Sequence, residues 1–523
     1  MTSALRLVGT GLFACALSLS GCSDNAPSVP DAGTSDPQPV VELTDYVDVV
    51  PTEPCMDADY AAPRANCTDP ASFRLTGCDL RAVGALEQSG VYQAVLRYHA
   101  TSVFGAGFRL DTNPSFLGWP LVRNQVDAQG FFVTGEVTTS SKKKQRYALA
   151  GCHVPEPGRI TGCFVRCTDG VPDYSGTFDA RRMNLDREED TGAQEMRLVS
   201  ETAVPEGDPV DVYVTQGHAY VVSLPRRDEA GGLSVFNVSD PAHPVFVTRV
   251  SLPTDNYWNG VWSKGDALYV ASGDSGLIVY DITNPASPQY VRALPGGVID
   301  VHTVFVDGDR LYAMSPSPNG ETLLFDVTSP LDPLLLNRIS VPREGEISYP
   351  HDAFAYQDRL YVNHTRRGYV VLDVKRADWT PVLGTYAFDG QYSHANAVGT
   401  IDGRTIAFEG GERFGAHLRV LDVTHPANIQ LIGQVKKRPQ TSIHNMVLKG
   451  TRLYVAWYHE GVRVFDVAHP EQPKEIAAFD SFQEAHPHST SSLYQGAIGI
   501  RVPGDGYVYA IDMSRGLLVL AEP

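Results

Sequence analysis

Positive charge is scarce in this chain. Its 523 residues carry 42 Lys and Arg against 61 Asp and Glu, a formal net charge of −19. A general nucleic-acid binder needs a basic footprint to displace counterions from phosphates, so nucleic acid is excluded as a partner of that kind. Docking on anionic lipid by charge alone is excluded for the same reason. Long apolar runs are also lacking: beyond the N-terminus no stretch of about 20 apolar residues occurs, so no spanning helix is expected. No sustained helical period appears. Nucleophile elbow, P-loop, dinucleotide fingerprint and zinc-protease helix motifs are all missing, so enzymatic activity has no motif behind it. Cysteine is limited to eight residues. What is present is 47 Gly and 36 Pro, punctuating many short apolar runs, the pattern of short strands and turns.

The first 22 residues read as an export signal. Arg6 supplies a positive start, an apolar run follows through Leu12, Phe13, Ala14 and Leu17, and the segment ends Leu19-Ser20-Gly21-Cys22. The run is too short for a stable membrane span. The ending resembles a bacterial lipobox, which implies Cys22 as a lipidated mature N-terminus and a membrane partner through that lipid. Ser23 follows Cys22, which by the enterobacterial sorting rule points to the outer membrane. Residues 23–54 carry seven acidic groups, six prolines and no base. Such a segment buries too little apolar surface to offset its ordering entropy and is expected to be a disordered tether.

Residues 55–192 form a second region. With Cys15 and Cys22 set aside, Cys55, Cys67, Cys78, Cys152, Cys163 and Cys167 remain. An even number in an exported chain implies up to three disulfides, in any of 15 pairings. A metal alternative uses Cys163, Cys167 and His153, although that spacing is not a zinc knuckle. Strand-like runs at 90–98, 130–138, 145–150 and 174–179 predict an antiparallel sheet or small barrel. Lys142, Lys143 and Lys144 read as a hairpin tip. The region is expected to be a disulfide-stapled spacer, with ligand binding inside a barrel as the other possibility. Residues 183–195 read as a charged linker.

From residue 196 the chain repeats itself. Gly232-Leu-Ser-Val-Phe-Asn-Val-Ser-Asp-Pro-Ala-His-Pro244 returns as Gly276-Leu-Ile-Val-Tyr-Asp-Ile-Thr-Asn-Pro-Ala-Ser-Pro288, and further copies follow. The equivalent positions Asn237, Asp281, Asp326, Asp373, Asp422 and Asp466 are spaced by 44, 45, 47, 49 and 44 residues. A seventh copy, Gly516–Leu520, ends the chain. Before each copy lies a turn and an apolar strand with a Tyr, as at Tyr269, Tyr312, Tyr361 and Tyr454. Four short strands per unit predict a β-propeller. The seventh unit lacks a fourth strand, and residues 196–204 resemble one. The expected fold is therefore all-β: a seven-bladed propeller over 196–523, closed by an N-terminal strand and preceded by the small disulfide-containing antiparallel domain. The phrase Gly-Leu-x-Val-x-Asp-Val-x-Asp/Asn-Pro-Ala-x-Pro resembles the LVIVD repeat family of bacterial propellers. That resemblance implies the fold and a surface or exported location. It implies no single activity.

Counting back ten residues from Tyr312, Tyr361 and Tyr454 gives His302, His351 and His444, and from Tyr269 gives Asn259. His394 lies twelve before Ile406, an even offset that keeps the same facing. These residues open the innermost strands, so four imidazoles are expected to converge at one channel mouth. The insertion 481–495 places His486 and His488 within reach of it. Converging imidazoles suit a transition metal, with Asp300 and Asp352 as candidate carboxylates behind them. The competing explanation is a ring of water-satisfied polar residues in a wet channel. Loops on the same face add Arg226, Arg227, His364, Arg366, Arg367, Glu409, Glu412, Arg413, His459, Glu460 and Arg515, with Trp258, Tyr349 and Tyr392 before the inner strands. Together they predict a recognition surface for a protein, glycan or small ligand. A metal-dependent enzyme built on the His set is the alternative.

Overall fold

The motif carboxylate recurs because each blade needs the same turn. Asp281 Oδ1 accepts from the Thr283 amide at 2.8 Å, Asp326 from Thr328 at 2.8 Å, Asp373 from Lys375 at 2.8 Å and Asp422 from Thr424 at 3.0 Å. These Asx-type bonds cap the third strand and start the Pro-containing turn to the fourth. Asn237 makes the same bond to Ser239 at 2.9 Å, so the turn survives where the Asp is replaced. The repeated Tyr joins one blade to the next. Tyr220 donates to the Pro285 carbonyl at 2.9 Å and Tyr269 to that of Pro330 at 2.8 Å, each in the following blade's turn.

The computed structural model describes residues 40–43, 66–99, 102–139, 142–183, 193–226, 229–342, 348–388, 390 and 392–523. The export signal, Cys22, Cys55 and Arg227 lie outside the described residues. Six four-stranded antiparallel blades run in chain order from Asp208–Thr215 to Lys474–Phe479. The seventh takes its three inner strands from Ala497–Arg501, Tyr507–Asp512 and Gly516–Ala521. Its outer strand is Leu198–Thr202, which pairs antiparallel with Gly516–Ala521. The ring is thus closed by the N-terminal strand, as the repeat count predicts, and the last blade gains its fourth strand. Two residues read as linker are also structural: Gln194–Glu195 pairs in parallel with Lys474–Phe479 as a fifth strand on blade six.

The Cys-containing region is a closed eight-stranded barrel. Its first long strand, Val91–His99, pairs with its last, Val171–Arg182. Alternate residues such as Tyr92, Phe108, Phe131, Leu149, Phe164 and Phe178 fill the interior. Tyr92 and Phe108 stack at 5.2 Å between ring centroids. A barrel interior packed with aromatics leaves no basis for a ligand inside it. Cys67 joins Cys167 and Cys78 joins Cys152. Cys163 is also disulfide-bonded, which removes the Cys163, Cys167 and His153 metal alternative. The Lys cluster follows the Gly130–Thr138 strand and leads into Lys144–Glu156, as a hairpin tip should.

The barrel is not a spacer. It is seated on the propeller through the insertion 481–495. Arg182 pairs with Glu484 at 2.6 Å, and Glu484 also accepts from the Val91 amide at 3.1 Å. Gln93 donates to the carbonyls of Ser491 and Ser492 at 3.2 and 3.1 Å. The backbone of Gly107 runs so close to the Ser491 carbonyl that only a residue without Cβ fits. Four residues of the expected tether, 40–43, also lie against the propeller: Glu42 accepts from Arg419 Nε at 2.6 Å, and Gln434 donates to the Val41 carbonyl at 2.7 Å.

Candidate functional site

Each inner strand begins at the same depth of the channel. His302 and His351 directly precede Thr303–Asp307 and Asp352–Tyr356, His394 is the second residue of Ser393–Ile401, and His444 stands two residues before Met446–Lys449. Their amides are held in matching register: His302 N donates to Met314 O, His351 N to Asn363 O and His444 N to Ala456 O, at 2.8, 2.8 and 3.0 Å. Four successive blades therefore present four imidazoles side by side. Ring centroids are 4.2 Å apart for His302 and His351, 4.2 Å for His351 and His394, and 4.3 Å for His394 and His444. Asn259 continues the arc, its Nδ2 lying 3.2 Å from His302 Nε2.

A carboxylate completes this group. Glu412, on the loop after Arg404–Gly411, places Oε2 3.6 Å from His394 Nε2 and Oε1 3.7 Å from His444 Nε2. One ligand atom each from His351, His394 and Glu412 lie within 4.8 Å of one another. The sequence marks Glu412 only as a face residue, because the loop that carries it does not repeat between blades. The Tyr458 hydroxyl donates to Glu412 Oε1 at 2.5 Å.

Burial governs protonation here. It holds His302 down to about 4 and His444 down to about 3, and keeps His351 and His394 well below the usual imidazole range. It pushes Glu412 up to about 7. The rings are therefore neutral at physiological pH, each with one nitrogen lone pair. His444 Nδ1 lies 2.7 Å from the Ile498 carbonyl, which only accepts, so the proton sits on Nδ1 and the lone pair on Nε2 faces Glu412. The expected carboxylates behind the rings are placed otherwise: burial lifts Asp300 to about 6 and Asp352 to about 7, and Asp352 accepts from the Ala353 amide at 2.8 Å. A backbone carbonyl and an amide side chain, not Asp300 or Asp352, orient His444 and His302.

The arc forms the floor of a cleft of about 1710 Å³ between propeller and barrel. Tyr257, Tyr349, Tyr392, Tyr458 and Tyr494 line it, with Arg109 and Asp111 from the barrel and Arg226, Glu229 and Asp300 from the propeller. Tyr349 and Tyr392 hydroxyls are 2.9 Å apart. His486 and His488 also line the cleft, 5.7 Å apart between ring centroids, but they belong to the wall and not to the arc.

Several residues expected on the recognition face serve other ends. Trp258 is buried and donates to Asp255 at 2.7 Å. His364 is buried against Ser348 Oγ at 2.6 Å, and His459 is buried against Phe482 at 4.5 Å between ring centroids. Arg367 donates to the Pro342 carbonyl at 2.7 Å. Neither Arg366 nor Arg367 lines the cleft. Arg413 stacks over Tyr392 at 5.0 Å and so supports the wall from behind. Glu409 is buried with Arg419 at 3.3 Å, and Glu460 with Arg438 at 2.8 Å. Arg515 is buried against Glu201 of the closing strand at 2.6 Å.

Among solved structures, the chain is similar to a computationally designed protein, Ika8, at 10% identity and a TM-score of 0.43, over 63% of this chain and 100% of that one. A structure described as the mitotic checkpoint complex matches at 12% identity and a TM-score of 0.46, over 65% of this chain and 94% of the other. No curated protein matches the chain. The LVIVD repeat family model matches residues 206–251 and 257–293, which cover the first two blades. Five further blades of the same strand order close the ring with these two.

Proposed function

We propose that the protein is a binding module whose site is the cleft at the propeller mouth, held at the cell envelope by a lipid on Cys22. The observation that carries the reading is the seating of the barrel: a stapled domain docked beside the channel mouth forms with it a cleft of about 1710 Å³, above the roughly 300–1,000 Å³ of sites for small ligands. That volume suits an oligosaccharide. Tyr257 and Tyr494 are exposed within it and offer flat faces for sugar rings, while Asp111, Asn259, Arg226 and Asp300 offer donors and acceptors for hydroxyls. The test is isothermal titration of the full chain with a panel of defined tetra- to hexasaccharides. We expect saturable binding of at least one, weakened roughly tenfold or more by Tyr494→Ala, as removal of a stacked aromatic anchor should do. A panel with no binder argues against the glycan reading. Anchoring is tested separately: Cys22→Ala should move the protein from the membrane to the soluble fraction.

A further inference from the structure

We propose that His351, His394, His444 and Glu412 form a five-coordinate site for one divalent first-row transition ion at the floor of the cleft, with the fifth position open to the cleft. The ion site stands on its own geometry; only the role of the open position rests on the cleft being a binding site.

The spacing is the first argument. Metal–nitrogen and metal–oxygen bonds of about 2.0–2.2 Å set neighbouring ligand atoms of a five-coordinate site about 3.0–3.6 Å apart. Glu412 stands 3.6 Å from His394 Nε2 and 3.7 Å from His444 Nε2, and the group of His351, His394 and Glu412 spans at most 4.8 Å. Small side-chain rotations close the remainder.

The second argument is the unsatisfied chemistry. The buried Nδ1 atoms of His351 and His394 have no hydrogen-bond partner among the described residues. His444 instead shows the arrangement of a ligand, its Nδ1 proton given to the Ile498 carbonyl at 2.7 Å and its Nε2 lone pair turned to the cluster. Glu412 is bonded to the Tyr458 hydroxyl, and no guanidinium or ammonium is paired with it among the described residues. The Nε2 lone pair of His444 faces the Glu412 carboxylate at 3.7 Å, and the two repel. A cation between them removes the conflict.

The donor set selects the ion. Three imidazoles and one carboxylate are poor ligands for calcium or magnesium, which take oxygen, and good ones for iron, cobalt, nickel, copper or zinc. One Glu leaves a divalent site with a net positive charge, which favours an anionic or hydroxyl oxygen at the open position. The ring stack and the Tyr458 contact fix the ligands on rigid inner strands and on one loop.

The full chain, stripped of metal, is titrated with Co²⁺ alone and read by its visible absorption and by elemental stoichiometry. One equivalent per chain is expected, displaced by Zn²⁺. His394→Gln and Glu412→Gln should each weaken binding by at least ~100-fold, the upper end of what even orienting neighbours contribute. His444→Asn serves as a second ligand variant, and circular dichroism with a melting curve verifies that each variant is folded. His488→Ala, on the cleft wall, should leave binding unchanged. Absence of saturable binding overturns the site, as does Co²⁺ binding that folded ligand variants retain or that His488→Ala abolishes. Oligosaccharide binding by the metal-free chain would leave the cleft reading standing even if the ion site failed. A bound ion with no oligosaccharide would do the reverse.

Discussion

Arg515 closes the propeller by gripping Glu201. Its Nε and Nη2 donate to the two carboxylate oxygens at 3.0 and 2.6 Å, and Nη1 donates to the Ser481 carbonyl at 2.8 Å. One guanidinium thus joins the N-terminal closing strand, the last blade and the start of the insertion that carries the barrel. The two parallel bonds give the contact a fixed direction as well as strength.

Arg515→Ala should therefore loosen the closure. Removing one partner of a buried pair costs about 3–5 kcal/mol, and Glu201 keeps some access to water, so a loss of about 2 kcal/mol is expected. Native-state hydrogen exchange should speed up first in residues 198–202 and 516–521. Unchanged exchange there would mean that strand pairing alone holds the ring.

The barrel's seat can be wedged apart without touching either core. A Cβ at position 107 meets the Ser491 carbonyl and the Gln93 amide. Gly107→Val should lift the barrel from the mouth, raise the radius of gyration in small-angle scattering and expose 481–495 to protease. The propeller's melting temperature should hold. An unchanged scattering curve would show that contacts elsewhere fix the barrel.

The Cys67–Cys167 bond spans 100 residues of sequence. Restricting so long a loop in the unfolded chain contributes about 4.7 kcal/mol in the chain-entropy account, of which about 2–4 kcal/mol is usually realised. The double replacement Cys67→Ser with Cys167→Ser should make the barrel sensitive to urea and protease while the propeller's transition stays in place.

His459 predicts an acid response. Burial, with Arg438 nearby, holds its folded value down to about 3, against 6.5 for a free imidazole. Between those values the unfolded chain binds the extra proton, so stability falls as pH drops below about 6.5 and goes on falling to about 3, at up to about 1.4 kcal/mol per pH unit. Above about 6.5 the group contributes no pH dependence. His459→Phe should flatten that limb, which urea midpoints measured from pH 7 to 4.5 would show. Equal slopes for the two proteins would contradict the assignment.

The propeller is legible in the sequence because its physics repeats. The Asx-type turn asks for the same side chain at Asp281, Asp326, Asp373 and Asp422, and the Tyr ladder gives a fixed point from which His302, His351 and His444 can be counted. The closing strand is legible because a missing fourth strand has one candidate upstream. The barrel's seat is not, since nothing local in 481–495 says which surface Glu484 and Ser491 will meet. Glu412 and Arg515 share that difficulty. Both stand in loops rich in charge, where only the folded ring decides that one turns to the imidazoles and the other to Glu201.

The order of the chain gives the docked barrel a temporal meaning. Residues 91–182 pair only among themselves as a barrel, so its strands are complete before any propeller strand is made. Their seat at 481–495 and the strands that receive Leu198–Thr202 come last. The cleft therefore exists only in a finished chain: a truncated product would carry all the barrel strands and an open ring, with no cleft over the four imidazoles.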